Sequence, residues 1–227
     1  MSGDLNIVIL NTGVSNVRSV ANMLRRLQVR VTISDLKADI LEADALILPG
    51  VGAFDACVER LEKANLIVVL NRKALEEAVP ILGLCLGMQI LGTRSQEGER
   101  LGFGWIPGEL RRMRSDNTGP VKVRVPHMGW NIIRKTEGCL LYQNMGPEPR
   151  FYFDHSYYFD THVADHIHGT ARHGIEFAAG INRGNIFGVQ FHPEKSHRFG
   201  LALFENFVAY ARSTVDQVSV RSGRQVG

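Results

Sequence analysis

Residues 80–89, Pro-Ile-Leu-Gly-Leu-Cys-Leu-Gly-Met-Gln, limit the possible folds more than any other stretch of the chain. The apolar run 81–84 reads as a buried strand, and the segment 86–91 that follows at once reads as a short helix. Only a sharp turn can join them, with Cys85 at its apex and Gly83 and Gly87 two positions away on either side. A residue at such an apex has strained backbone geometry, and small neighbours let the chain fold back without clashes. Its side chain is held at the carboxyl end of the strand beside a helix N-terminus. Unpaired N–H groups and the positive end of the helix dipole favour a thiolate there. Taken alone, the stretch also fits a small buried hydrophobe in a Gly-rich turn.

The residues before it set the fold class. Residues 5–10, Leu-Asn-Ile-Val-Ile-Leu, read as a strand of a parallel sheet, and Asn16 opens a helix with Val17, Val20, Leu24 and Leu27 on one face. A strand over 29–34, a connector or short helix over 39–43 and a strand over 45–48 follow. This βαβ rhythm predicts an α/β fold with a doubly wound, mainly parallel sheet, whose sites lie beyond the carboxyl ends of the strands. The third strand ends in Pro49-Gly50-Val51-Gly52. Two glycines there leave peptide N–H groups free to face a ligand and stabilise an oxyanion, although a plain turn fits the same residues. Helical stretches over 55–64 and 66–78 precede the elbow, and Glu97-Gly98 lies in a polar loop after it. The glycines of 101–108 suit bends between short strands.

From about residue 110 the pattern becomes β-rich and antiparallel, with strands over 121–125 and 151–153 and turn-rich segments between them. Pro126-His127-Met128-Gly129-Trp130-Asn131 reads as a loop; its large ring is either tucked into the core or offered to a partner. Asp154-His155-Ser156-Tyr157-Tyr158 follows a strand at a place suited to touching a ligand. A strand over 185–191 delivers His192-Pro193-Glu194. Along an extended chain residues two apart face one side, so Glu194 can hold one imidazole nitrogen while the other faces a nucleophile. A lone His-x-Glu is also common as surface polarity. A closing helix over 200–211 turns Leu201, Phe204, Phe207, Val208 and Ala211 inward. One domain over 1–212 and a disordered polar tail over 213–227 are expected.

Composition removes several function classes. No apolar run approaches the roughly 18 residues of a membrane span, and Met1-Ser2-Gly3-Asp4 lacks the charged start of a signal peptide, so a cytoplasmic protein without a membrane partner is expected. Cys57, Cys85 and Cys139 form no Cys-x-x-Cys pair, which suggests neither disulfides nor zinc. Net charge is only +3 and the basic residues are scattered, so no nucleic-acid partner is expected. His162, His166, His168 and His173, with Asp165, match no familiar ligand spacing; a loop or turn-rich surface accounts for them, and no metal or cofactor is expected.

Taken together, the Gly-x-Cys-x-Gly elbow, the Pro-Gly-Val-Gly loop and the His-Pro-Glu segment make residues 5–212 resemble the class I glutamine amidotransferases. Within that class, the Pro126–Asn131 block in particular is similar to the glutaminase subunits of imidazole glycerol phosphate synthase, from histidine biosynthesis, with 155–158 and 188–196 consistent with it. The resemblance implies that Cys85 attacks the side-chain amide of glutamine. His192 is its base and then the acid for departing ammonia, and Glu194 orients His192. It implies an oxyanion hole from the N–H of Leu86 and one of Val51 or Gly52, and a glutamine cradle from Gln89, Glu97 and the Ser156-Tyr157 backbone. It also implies a (βα)8-barrel synthase partner that receives ammonia by a sequestered path and docks on His127, Met128, Trp130, Asn131 and Lys195. Amide chemistry independently asks for such a set: a strong nucleophile, donors for the oxyanion and a proton for the leaving nitrogen. Two segments depart from the family pattern, Asn11-Thr12-Gly13-Val14-Ser15-Asn16 and Asp154. They keep open a paralogue that supplies ammonia to a sugar-modifying synthase of surface polysaccharide. A catalytically silent regulatory module is a third reading, weakened because all three triad residues are present.

Overall fold

A computed structural model describes residues 5–11, 13, 16–116 and 123–223, with side chains up to 217. Its first half is β1 (Asn6–Leu10), α1 (Val17–Arg25), β2 (Arg30–Ser34), α2 (Lys37–Leu41), β3 (Ala45–Gly50), α3 (Phe54–Lys63), α4 (Ile67–Asn71) with a π-turn over Arg72–Glu76, β4 (Ile81–Cys85) and α5 (Leu86–Gln89). The second half is β5 (Arg94–Ser95), β6 (Glu109–Arg112), β7 (His127–Ile132), β8 (Arg134–Lys135), β9 (Arg150–His155), β10 (Tyr157–Asp160), β11 (Ile167–His173), β12 (Ile175–Arg183), β13 (Ile186–Val189) and α6 (His197–Gly223).

The main sheet runs β2-β1-β3-β4-β13-β12-β10-β6-β5, parallel from β2 through β13 and antiparallel from there to β6. Strand alternation explains its two covered faces. Ile7 and Ile9 of β1, with Ala45, Ile47, Leu82 and Leu84, pack under α1 and α6, whereas Val8, Leu10, Leu46, Leu48 and Ile81 pack under α3, α4 and α5. Both sets are buried, and each fully buried Ile or Leu adds about 1.5–3 kcal/mol relative to an exposed one. This is the doubly wound arrangement expected, and it places the ends of β3, β4 and β13 side by side. A smaller sheet, β7 with β9, lies against that end and pairs His127 with His155 and Trp130 with Tyr152.

Several expectations need correction. Residues 126–131 are not a loop: 127–131 belong to β7, because each of them has a cross-strand partner in β9. The histidine patch, expected on a loop or turn-rich surface, is only partly so: His162 and His166 lie in a bend and a 3-10 turn, but His168 and His173 lie on β11, which is held by pairing with β12 and β8. In the expected strand 121–125, Val121 and Lys122 fall outside the described residues, and Val123 makes only an isolated bridge with Asp116. Thr12, Val14 and Ser15 of the first loop also lie outside them. β13 stops at Val189, before the expected end at 191. α6 buries Leu203 with Phe204, Phe207, Val208 and Ala211, while Leu201 is half-buried. From Arg212 the chain stays helical to Gly223 instead of becoming a loose tail: Ser213 and Thr214 both hydrogen-bond the Tyr210 carbonyl, and Val215 packs on the core. Residues 224–227 fall outside the described region.

Candidate active site

The elbow between β4 and α5 is built by close approach. Cys85 has φ 52° and ψ −107°, a conformation costing about 1–3 kcal/mol for a residue with a side chain. Its flanking glycines are needed for another reason. A Cβ on Gly83 would sit 2.5 Å from the Gly87 carbonyl oxygen, and one on Gly87 would sit 1.6 Å from that of Leu48. The helix therefore presses directly on β3 and β4, and the Cys85 side chain projects over the sheet edge into a cleft of about 300 Å³.

The neighbouring strands bring the other groups. After β13 the chain bends, and the His192 N–H bonds to the Tyr152 carbonyl at 2.8 Å. A 3-10 turn over Pro193–Lys195 then swings Glu194 back, so that its Oε1 meets His192 Nδ1 at 2.9 Å. The expected pairing is present, but through a turn and not an extended strand; Pro193, at the first position of the turn, has its φ already set for it. Burial pulls the His192 pKa down, but the neighbouring Cys85 sulfur and the hydrogen-bonded Glu194 carboxylate, through their negative charge, outweigh it and raise the value to about 10. His192 thus shares the cleft wall with Cys85 while its Nδ1 is held by Glu194. Cys85 Sγ also donates to the Asp154 carbonyl at 3.9 Å and accepts from Gln190 Nε2 at 3.7 Å.

The cleft wall contains the residues expected to hold substrate. Val51 and Gly52 form one side, the latter with φ +100°, a value that favours glycine. Leu86 stands beside Cys85, and Gln89, Glu97, Ser156 and Tyr157 complete the rim. Glu97 is fixed by a reciprocal clamp. Its Oε2 accepts from the Phe54 N–H at the start of α3 at 2.8 Å, while Asp55 on that helix accepts from the N–H groups of Glu99 and Arg100. Those two bonds hold the Asp55 carboxyl below its usual pKa.

One cleft-lining residue, His155, pairs with a second histidine beneath it. His155 Nε2 and His127 Nδ1 are 2.9 Å apart, and His155 Nδ1 is 2.7 Å from the Tyr157 carbonyl. His127, expected at a partner surface, is only 4% exposed; the pleat of β7 turns it inward, where it stacks on Phe153 and His173. Met128 and Trp130, 60% and 50% exposed, take the outward side, and Trp130 lies parallel to the His197 ring at 5.5 Å. Asn131 is partly buried and donates to the Arg172 carbonyl, whereas Lys195 is exposed with its Nζ 5.3 Å from the Tyr152 ring centre.

The family model for class-I glutamine amidotransferases matches residues 8–211. The chain belongs to that family. Among curated relatives, the imidazole glycerol phosphate synthase subunit HisH 2 of Pseudomonas aeruginosa is 44% identical over 203 residues, covering 89% of this amidotransferase and 98% of the relative. The subunit HisH 2 of Methanococcus maripaludis is 40% identical over 205 residues, covering 90% and 100%. Two solved structures share the fold at 19% identity and TM-score 0.68: PurLQS from Thermotoga maritima, with 91% of this chain and 99% of that one aligned, and a glutamine amidotransferase, with 90% and 98%. Among the described residues of this amidotransferase, no helix is long and apolar enough to cross a membrane, and no group of three side chains is arranged to hold a metal ion.

Residue-by-residue reading missed Gln190. A polar side chain that continues an apolar strand, two positions before His192, was the available signal. It also gave no hint that His127 and His155 would be buried. Burial, then the charges of neighbouring histidines, lowers His127 to about 3; burial likewise lowers His155 to about 4, against its bond to Tyr157. Both folded values lie below the unfolded 6.5, so their contribution to stability is intact above pH 6.5 and is lost as pH falls from there toward 4 and 3. Urea unfolding of the amidotransferase between pH 4 and 8 is expected to show this acid limb, and His127→Gln is expected to flatten it. An equal slope in both proteins would contradict the assignment.

Proposed function

We propose that the chain is the glutaminase subunit of an imidazole glycerol phosphate synthase and passes ammonia to a (βα)8-barrel synthase subunit. The observation that carries this reading is the convergence of Cys85 with the hydrogen-bonded His192 and Glu194 at a cleft ending three adjacent strands. The names of the relatives supply the synthase.

In this reading His192 removes the Cys85 proton, and the sulfur attacks the side-chain carbonyl carbon of glutamine. The N–H of Leu86, with that of Val51 or Gly52, receives the charge developing on oxygen. His192, held in position by Glu194, returns the proton to nitrogen; the C–N bond breaks, ammonia departs and a thioester remains. Water, deprotonated by the same ring, then attacks the thioester, freeing glutamate and restoring the thiol. Gln89, Glu97 and the Ser156-Tyr157 backbone hold the amino-acid end of the substrate. No cofactor is needed, and a free thiol suits the cytoplasm.

The synthase would dock on the outward side of β7, which exposes Met128 and Trp130, with Lys195 nearby over the Tyr152 ring that Trp130 also touches. Asn131 belongs to the edge of this face, and buried His127 supports it from within. The deciding experiment mixes the chain with a histidine-pathway barrel synthase and measures glutamate release. Complex formation, with turnover raised at least about tenfold by the synthase ribonucleotide, is the expected result, a size within the usual range of couplings between sites. No complex and a flat response would point the ammonia to another acceptor.

A further inference from the structure

Gln190 is fully buried although it continues a strand of apolar residues. A buried carboxamide is costly unless its polar atoms find partners, and here both the oxygen and the nitrogen have one. Gln190 Oε1 accepts from Gln89 Nε2 at 3.1 Å, and Gln190 Nε2 donates to Cys85 Sγ at 3.7 Å. Gln89 Nε2 is itself tied to the Tyr157 carbonyl at 3.3 Å. This chain of bonds fixes which way the amide points. Turned over, Gln190 would set one NH2 group against another and place a carbonyl oxygen against the sulfur.

We infer that Gln190 is a positioning residue for the thiol, donating a hydrogen bond that favours the Cys85 thiolate and aims the sulfur into the cleft. The inference rests on the reading of Cys85 as nucleophile. The two contacts of the sulfur sort its protonation states: the Asp154 carbonyl can only accept from S–H, whereas a Gln190 N–H grows stronger as a donor once the sulfur is ionised. Gln89, which lines the cleft, anchors the other end of Gln190, so the substrate rim and the nucleophile share one rigid connection.

The test follows alkylation of Cys85 by iodoacetamide, in which the sulfur bonds to the methylene carbon and iodide leaves, by mass spectrometry across pH. Gln190→Met keeps the length and removes the donor; Gln190→Glu keeps an oxygen for Gln89 and removes the donor to sulfur. Because alkylation follows the thiolate fraction, the neutral-pH rate is expected to fall about tenfold in Gln190→Met, with the pH midpoint about one unit higher, and further in Gln190→Glu. The kcat for glutamine is expected to fall in parallel, with KM changed much less. If Gln190→Met does not fold, as judged by circular dichroism, Gln190→Glu carries the same readout. Folded variants with the wild-type alkylation profile would overturn the inference, and so would loss of fold in both, which would make Gln190 a part of the core only. His192→Ala serves as the separating control: unchanged Cys85 alkylation in that variant would instead overturn the Cys-His reading.

Discussion

Replacing Cys85 by Ala is expected to remove glutamine hydrolysis, by about 10⁴-fold or more, while the fold survives. The sulfur makes two long hydrogen bonds and lines the cleft, so its loss leaves no large cavity. Cys85→Gly provides an internal check. Glycine relieves the strain of the positive φ but loosens the unfolded chain, so Cys85→Gly is expected to be more stable than Cys85→Ala by about 1 kcal/mol. Glutamate release at the wild-type rate from Cys85→Ala would eliminate the proposed chemistry.

The second large effect is structural. In Gly87→Ala the new methyl carbon would stand 1.6 Å from the backbone oxygen of Leu48. No rotamer can relieve a contact between a Cβ and main chain, so α5 must separate from β3, taking Leu86 and Gln89 with it. A loss of roughly 4 kcal/mol or more is expected, near the upper end for single substitutions and comparable to the whole stability of many domains. Denaturant unfolding measures it. A Gly87→Ala protein within about 1 kcal/mol of wild type would show that the elbow is not packed as described.

These two positions were legible in the sequence because backbone geometry speaks through residue type: a cysteine between two spaced glycines after an apolar strand has few structural meanings. The parallel strands were equally legible, since β1 and β3 lie between two helical layers and are apolar on both faces. β7 was not. His127, Gly129 and Asn131 face inward there, and nothing local announces that an imidazole will be buried against two further imidazoles, His155 and His173, and the Phe153 ring. β10 was hidden for a similar reason, because it is held by β6 and β12, both remote in sequence, whereas β11 and β12 form a tight hairpin about Gly174. The continuation of α6 past Arg212 depends on Val215 reaching the core and on hydroxyl bonds one turn back, neither of which is visible in a list of polar residues. In the site, the proximity of His192 and Glu194 was anticipated while its cause was not: a 3-10 turn brings the carboxylate to the ring.

The opposite pKa shifts around the cleft also depend on tertiary structure. His192, raised to about 10, adds stability that is complete below its unfolded 6.5 and is lost as pH climbs through that window, the reverse of His127 and His155.

The most direct measurement of the central claim is covalent labelling with a chloroketone analogue of glutamine, followed by peptide mapping. Displacement of chloride by the Cys85 sulfur is expected, with labelling suppressed by excess glutamine and absent from Cys57 and Cys139. Both of those are buried, and burial raises their thiol pKa values. Label distributed over all three cysteines, or unaffected by glutamine, would contradict the account.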